Sequence, residues 1–200
     1  MPTTRPYAEE AIWRPIGLNP EALGFPGASA LNHCQLGNQS GYVDLVLFPR
    51  NSPRIVLVEA KRVDDSRSAA DVVGQLLKYY THALALGSEG IEVLRKAAAK
   101  WGCGDRPSRL LSLKWLFDAG SLDAAQVQAG AGKTLLPQDI GLVIAVDAIA
   151  PKLEPRLLRA VAALEKHHGL SIGIAVVDVT GPRWHRELRA NRSFADASAG

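Results

Sequence analysis

The chain has 200 residues, 47% of them hydrophobic, which is the size of one domain with enough apolar side chain to bury a sizeable core. That composition excludes a disordered or collagen-like chain. Charged residues make up 22%, and 23 Lys and Arg against 20 Asp and Glu leave a formal net charge of +3, which permits an anionic partner without requiring one.

Residues 7–13 read as a short helix limited by Pro15, followed by a passage rich in Pro and Gly through Asn19, Pro20, Gly24, Pro26 and Gly27. Leu31–Leu36 is a first strand. Gly41–Phe48 is a second, because Val43, Leu45 and Leu47 alternate with Tyr42, Asp44 and Val46. After a turn at Pro49–Pro53, Arg54–Lys61 is a third strand rich in β-branched and aliphatic residues. Ser68–Leu86 predicts a helix with Val72, Val73, Leu76, Leu77, Tyr80 and Leu84 on one side. Helical patterns follow around Ile91–Trp101 and Arg109–Phe117, inside a stretch, 89–133, that reads as a helical insertion. Gly141–Val146 and Ser171–Val179 are buried strands joined by a helix, Leu153–His167, which implies a parallel pair. The expected fold is therefore an α/β sandwich, a single domain over 1–192 with a flexible tail at 193–200.

Cys34 and Cys103 are too few for a disulfide framework and lack zinc-site spacing, so a cytoplasmic location is expected. Met1–Glu10 holds no apolar stretch of signal-peptide kind, and Asp147 breaks the longest aliphatic run, so no membrane partner is expected.

The chemistry concentrates between Gly41 and Tyr79. Residues two apart on a strand share a face, so Glu59 and Lys61 project together at a strand end. If the second strand pairs with the third through the short turn, Asp44 comes close to Glu59. Two neighbouring carboxylates repel unless a cation neutralises them, and hard oxygen ligands suit Mg²⁺ or Mn²⁺. A bare Glu-x-Lys is otherwise an ordinary solvated ion pair.

Asp44 in Gly-Tyr-Val-Asp-Leu-Val, Glu59-Ala-Lys61 after an aliphatic strand, and Gln75-x-x-x-Tyr79 on the next helix together resemble the PD-(D/E)xK nuclease superfamily, and more closely its RecB-like and DNA repair endonuclease members with a Gln-x-x-x-Tyr helix. The resemblance covers about Gln35 to Tyr80. It implies a restriction-endonuclease-like three-layer sandwich, with a central mixed β-sheet flanked by helices. It also implies a divalent-metal-dependent nuclease with DNA as partner, and leaves a homodimer open. Asp44 and Glu59 would bind the metal with the main-chain carbonyl of Ala60, and Lys61 would contact the attacking water or the phosphate. Gln75 would orient them, and Tyr79 would support the site or touch the DNA backbone. The upstream helix glutamate of many members has three candidates, Glu9, Glu10 and Glu21, of which Glu10 fits best by its helix and its distance before Asp44. The rival expectation is a nuclease-fold module that binds DNA or a protein without cutting.

Two basic clusters locate the positive charge: Arg95, Lys96, Lys100, Arg106, Arg109 and Lys114, and Arg183, Arg186, Arg189 and Arg192 beside Trp184. If helical, the second would form a drifting stripe able to meet phosphates, with Arg183 and Arg186 as nucleic-acid contacts. Gly130–Thr134 resembles the end of a phosphate-binding P-loop, but Val127 stands at its first glycine position and Pro137 obstructs the helix that should follow. His167 and His168 read as a helix C-terminus and not as metal ligands.

Overall fold

A computed structural model of the chain describes residues 9–36, 41–62, 69–103, 135–149 and 154–191. Its described elements are α1 (Glu10–Leu18), β1 (Ser29–Cys34), β2 (Val43–Phe48), β3 (Ile55–Lys61), α2 (Ala69–Trp101), β4 (Ile140–Val146), α3 (Glu154–His168), β5 (Ile172–Asp178) and β6 (Gly181–Arg186), with short 3₁₀ turns at Pro20–Leu23 and Pro137–Asp139. The six strands form one mixed sheet in the order β1-β2-β3-β4-β5-β6. β1, β2 and β3 are successive antiparallel neighbours, β4 lies parallel to β3 and β5 parallel to β4, and β6 returns antiparallel on β5. The protein is thus α/β.

Both faces of the sheet are covered, which is why β3 and β4 are buried along their whole length instead of alternating with solvent. One face packs Val46, Phe48, Ile55, Leu57, Leu142 and Ile144 against Leu76, Ile91 and Leu94 of α2 and Leu157 and Val161 of α3. On the other, Leu45, Leu47, Val56, Val58 and Val143 meet Ile12, Trp13 and Ile16 of α1. At roughly 1.5–3 kcal/mol for each large side chain fully buried, these two apolar layers are the main source of stability.

Three expectations are corrected. Pro15 lies inside α1 and does not end it. An interior proline costs about 3 kcal/mol, but Ile16 just beyond it is completely buried, and Asn19 N still donates to the Pro15 carbonyl at 3.0 Å. Next, 89–101 is no insertion: α2 bends at Gly87, whose φ of 65° suits a residue without Cβ, and runs on to place Ile91, Leu94 and Ala98 in the core. Arg95 on this second arm donates to the carbonyls of Pro49 and Arg54 at 3.2 and 3.1 Å, fastening the β2–β3 turn. The helix expected at 109–117, the P-loop-like 130–134 and the tail 193–200 lie outside the described residues.

The third correction concerns the C-terminal arginines, because residues 181–186 form the edge strand β6. Residues three apart on a strand point to opposite faces, so Arg183 and Arg186 do not share the stripe expected of a helix. Arg183 pairs with Asp178 at 2.9 Å, while Arg186 and Arg189 both engage Glu165 on α3. Arg192 lies outside the described residues.

Candidate active site

The sheet brings the expected residues together at the start of β2 and the end of β3. The β2–β3 ladder pairs Leu45 with Val58, so one step outward sets Asp44 opposite Glu59. Asp44 Oδ2 accepts the Ala60 amide hydrogen at 2.8 Å, a bond that fixes the carboxylate against β3. Lys61 Nζ lies 2.5 Å from Glu59 Oε1 and donates to Glu9 Oε1 at 3.2 Å. Glu59 and Lys61 are 1% and 4% exposed and Asp44 only 8%, so two carboxylates and an ammonium share a nearly closed volume.

Burial sets the electrostatics. Desolvation, reinforced by the neighbouring Asp44 charge, pushes Glu59 up to about 8 despite Lys61. Asp44 is raised as well, chiefly by desolvation, with Lys61 and the Ala60 amide opposing. Desolvation works against the charge on Lys61, but Glu59, Asp44 and Glu9 outweigh it and hold its pKa above the usual lysine value. Lys61 Nζ, 2.5 Å away, takes up Glu59 Oε1, whereas Glu59 Oε2 is buried with no hydrogen-bond partner among the described residues. A buried carboxylate with idle lone pairs is costly, and such groups concentrate where a cation or a reaction uses them.

Of the candidate upstream glutamates it is Glu9, and not Glu10, that reaches this cluster. Glu10 is bonded to Arg14, one turn on along the outer face of α1, at 3.1 Å. Glu9 stands one turn before Trp13 and two before Ile16, on the face α1 turns to the sheet. The apolar stripe Ile12, Trp13 and Ile16 was the signal that distinguishes the two. Glu9 is also one third exposed, the side of the cluster that meets solvent. Glu21 lies exposed in the 3₁₀ turn that follows α1.

Gln75 and Tyr79 stand one turn apart on α2, but they do not reach Lys61. Gln75 Nε2 donates to Tyr79 Oη, and Tyr79 Oη donates to the Tyr42 carbonyl, each at 2.7 Å. Tyr79 is 1% exposed, so contact with a DNA backbone is corrected: the ring is core and the hydroxyl pins the chain two residues before Asp44. Sequence reasoning passed over His33, which faces Asp44 across the β1–β2 ladder and whose charge opposes the rise at Asp44. Its φ of 50° is the only positive value at a non-glycine among the described residues, and its ring meets Trp13 edge-on at 5.4 Å.

No family model, no curated protein and no solved structure matches this chain. What the cluster can do therefore follows from its own geometry. Among the described residues no group of three or more His, Cys, Asp or Glu side chains is gathered to hold a metal ion. Two carboxylates and a main-chain carbonyl are a sparser set, of the kind that suits an ion retaining several waters. The cleft of about 270 Å³ beside Phe25 and Trp184, and the small apolar one beside the Glu154–His185 pair, share no lining residue with the cluster. No helix among the described residues is long and apolar enough to cross a membrane.

Proposed function

We propose that this chain is a divalent-metal-dependent nuclease that hydrolyses DNA phosphodiester bonds, on a restriction-endonuclease-like sandwich and in the cytoplasm. The observation that carries the reading is Glu59: a buried carboxylate facing Asp44, with Oε1 on the Lys61 ammonium and Oε2 unpartnered among the described residues. Mg²⁺ or Mn²⁺ fits this donor set, with Asp44, Glu59 and the Ala60 carbonyl as the residues that would hold it. Such an ion supplies a bound water of lowered pKa and offsets charge on the phosphate.

The chain's own residues do the rest. Lys61 stays protonated between Glu59 and Glu9 and is the donor that orients a water or a phosphate oxygen. Glu9 positions that ammonium from α1, and Tyr79, backed by Gln75, positions the start of β2. DNA as the substrate rests on this chemistry and on the net basic charge. Arg183, 58% exposed, is better placed than Arg186 for a phosphate contact.

A second reading, a nuclease-fold module that binds without cutting, draws on the low exposure of Lys61 and its full engagement with two glutamates. Incubating the protein with labelled single-stranded, duplex and branched DNA separates the two. Cleavage with Mg²⁺ or Mn²⁺ that stops with chelator supports the nuclease, whereas binding with no cleavage under any metal supports the module.

A further inference from the structure

Four large apolar side chains are exposed on the described surface, and Tyr42, at 44%, is the only aromatic among them. It stands two positions before Asp44, just ahead of the first residue of β2. Its backbone is locked from both sides. Gly41 turns the chain into the strand with φ 79°, and the Tyr42 carbonyl accepts the Tyr79 hydroxyl at 2.7 Å, with Gln75 bonded behind it. The pair Gln75 and Tyr79 thus holds the backbone from which the exposed ring of Tyr42 projects, two residues before Asp44.

An exposed aromatic on a held backbone suits a flat π-surface, and next to a phosphodiester site the available one is a nucleobase. Bases inside a duplex are stacked on each other and offer a lone side chain only their edges, whereas an unpaired base can lie on the ring. We infer that Tyr42 is a stacking platform for an unpaired base next to the cleaved phosphate, making single-stranded or frayed DNA the preferred substrate. This inference rests on the nuclease reading for the place of cleavage, but stacking itself can be measured without cleavage.

The test compares wild type with Tyr42→Ala, Tyr42→Phe and Tyr42→Trp in chelator, using a labelled single-stranded oligodeoxynucleotide carrying 2-aminopurine and its blunt duplex. The ring accounts for about 5- to 140-fold of single-strand affinity. Tyr42→Ala should lose it together with the 2-aminopurine quench, while duplex binding changes less than about twofold. Tyr42→Phe and Tyr42→Trp should retain both. Unchanged single-strand binding by Tyr42→Ala, equal losses for strand and duplex, or no single-strand binding by wild type would each overturn the inference. A wild type that stacks the strand but never cleaves it with Mg²⁺ or Mn²⁺ supports the platform and removes the nuclease reading.

Discussion

Two carboxylates on the same sheet have opposite fates. Asp178, at the β5–β6 turn, accepts hydrogen bonds from the Thr180 hydroxyl and amide and from Arg183, which hold its pKa down to about 2. Glu59, at the end of β3, is buried with Lys61 at one oxygen and nothing among the described residues hydrogen-bonded to the other, and is pushed up to about 8. The turn is a finished structure in which each charge has its counterpart. The β3 end is left with unused lone pairs, so it is the place where a bound cation would add most. Perturbation alone does not mark a site, since Asp178 is perturbed too. Direction and satisfaction distinguish them.

The strongest way to break this contrast is to remove its chemistry. Asp44→Ala or Lys61→Ala should lower metal-dependent DNA cleavage by at least ~10²–10³-fold, with an unchanged circular dichroism spectrum. The same substitution at Asp178 should leave cleavage within about twofold. Activity surviving in Asp44→Ala would place the chemistry elsewhere.

The pH dependence of stability is the next largest effect. Folded protein holds the Glu59 proton more tightly than unfolded chain does, so metal-free stability is greatest below the ordinary carboxylate pKa. It falls as pH rises through about 8, and Asp44 acts in the same direction. The loss is on the order of a few kcal/mol. Thermal unfolding between pH 5 and 9 should show this slope, Glu59→Gln should flatten much of it, and Mn²⁺ should recover stability at the high-pH end. Asp178 is lowered, so its contribution is lost only as pH falls toward about 2, outside this window.

Smaller effects sharpen the contrast. Tyr79→Phe leaves the Tyr42 carbonyl and the Gln75 amide without their shared hydroxyl, and should cost about 1–2 kcal/mol in denaturant unfolding. It should also lower cleavage by loosening the start of β2. Arg183→Ala breaks an exposed pair and should change stability by under about 1 kcal/mol.

Much of this was legible in the sequence. Alternation around Asp44 and the aliphatic run before Glu59 placed β2 and β3, and a short turn between them fixed which carboxylates would meet. The unit β4–α3–β5 followed from two buried strands around a helix. What failed has physical causes. Proline reads as a helix stop because propensity is local, while the burial of Ile16 that carries α1 past Pro15 is tertiary. Glu9 and Glu10 are adjacent in sequence but 100° apart on a helix, and only the stripe of Ile12, Trp13 and Ile16 separates them. Arginine at every third residue from 183 fits a helix wheel, yet Gly181 and Pro182 precede it, and the edge of β5 was free to take a strand. The partners of Tyr79 depend on how α2 lies over β2, which no spacing records.

The most direct measurement of the central claim is calorimetric titration of Mn²⁺ into wild type and Asp44→Ala at pH 7 and pH 8. Binding to wild type with proton release that is larger at pH 7, and no binding to Asp44→Ala, is the predicted result. Equal binding by both proteins, or none by wild type at either pH, would contradict it.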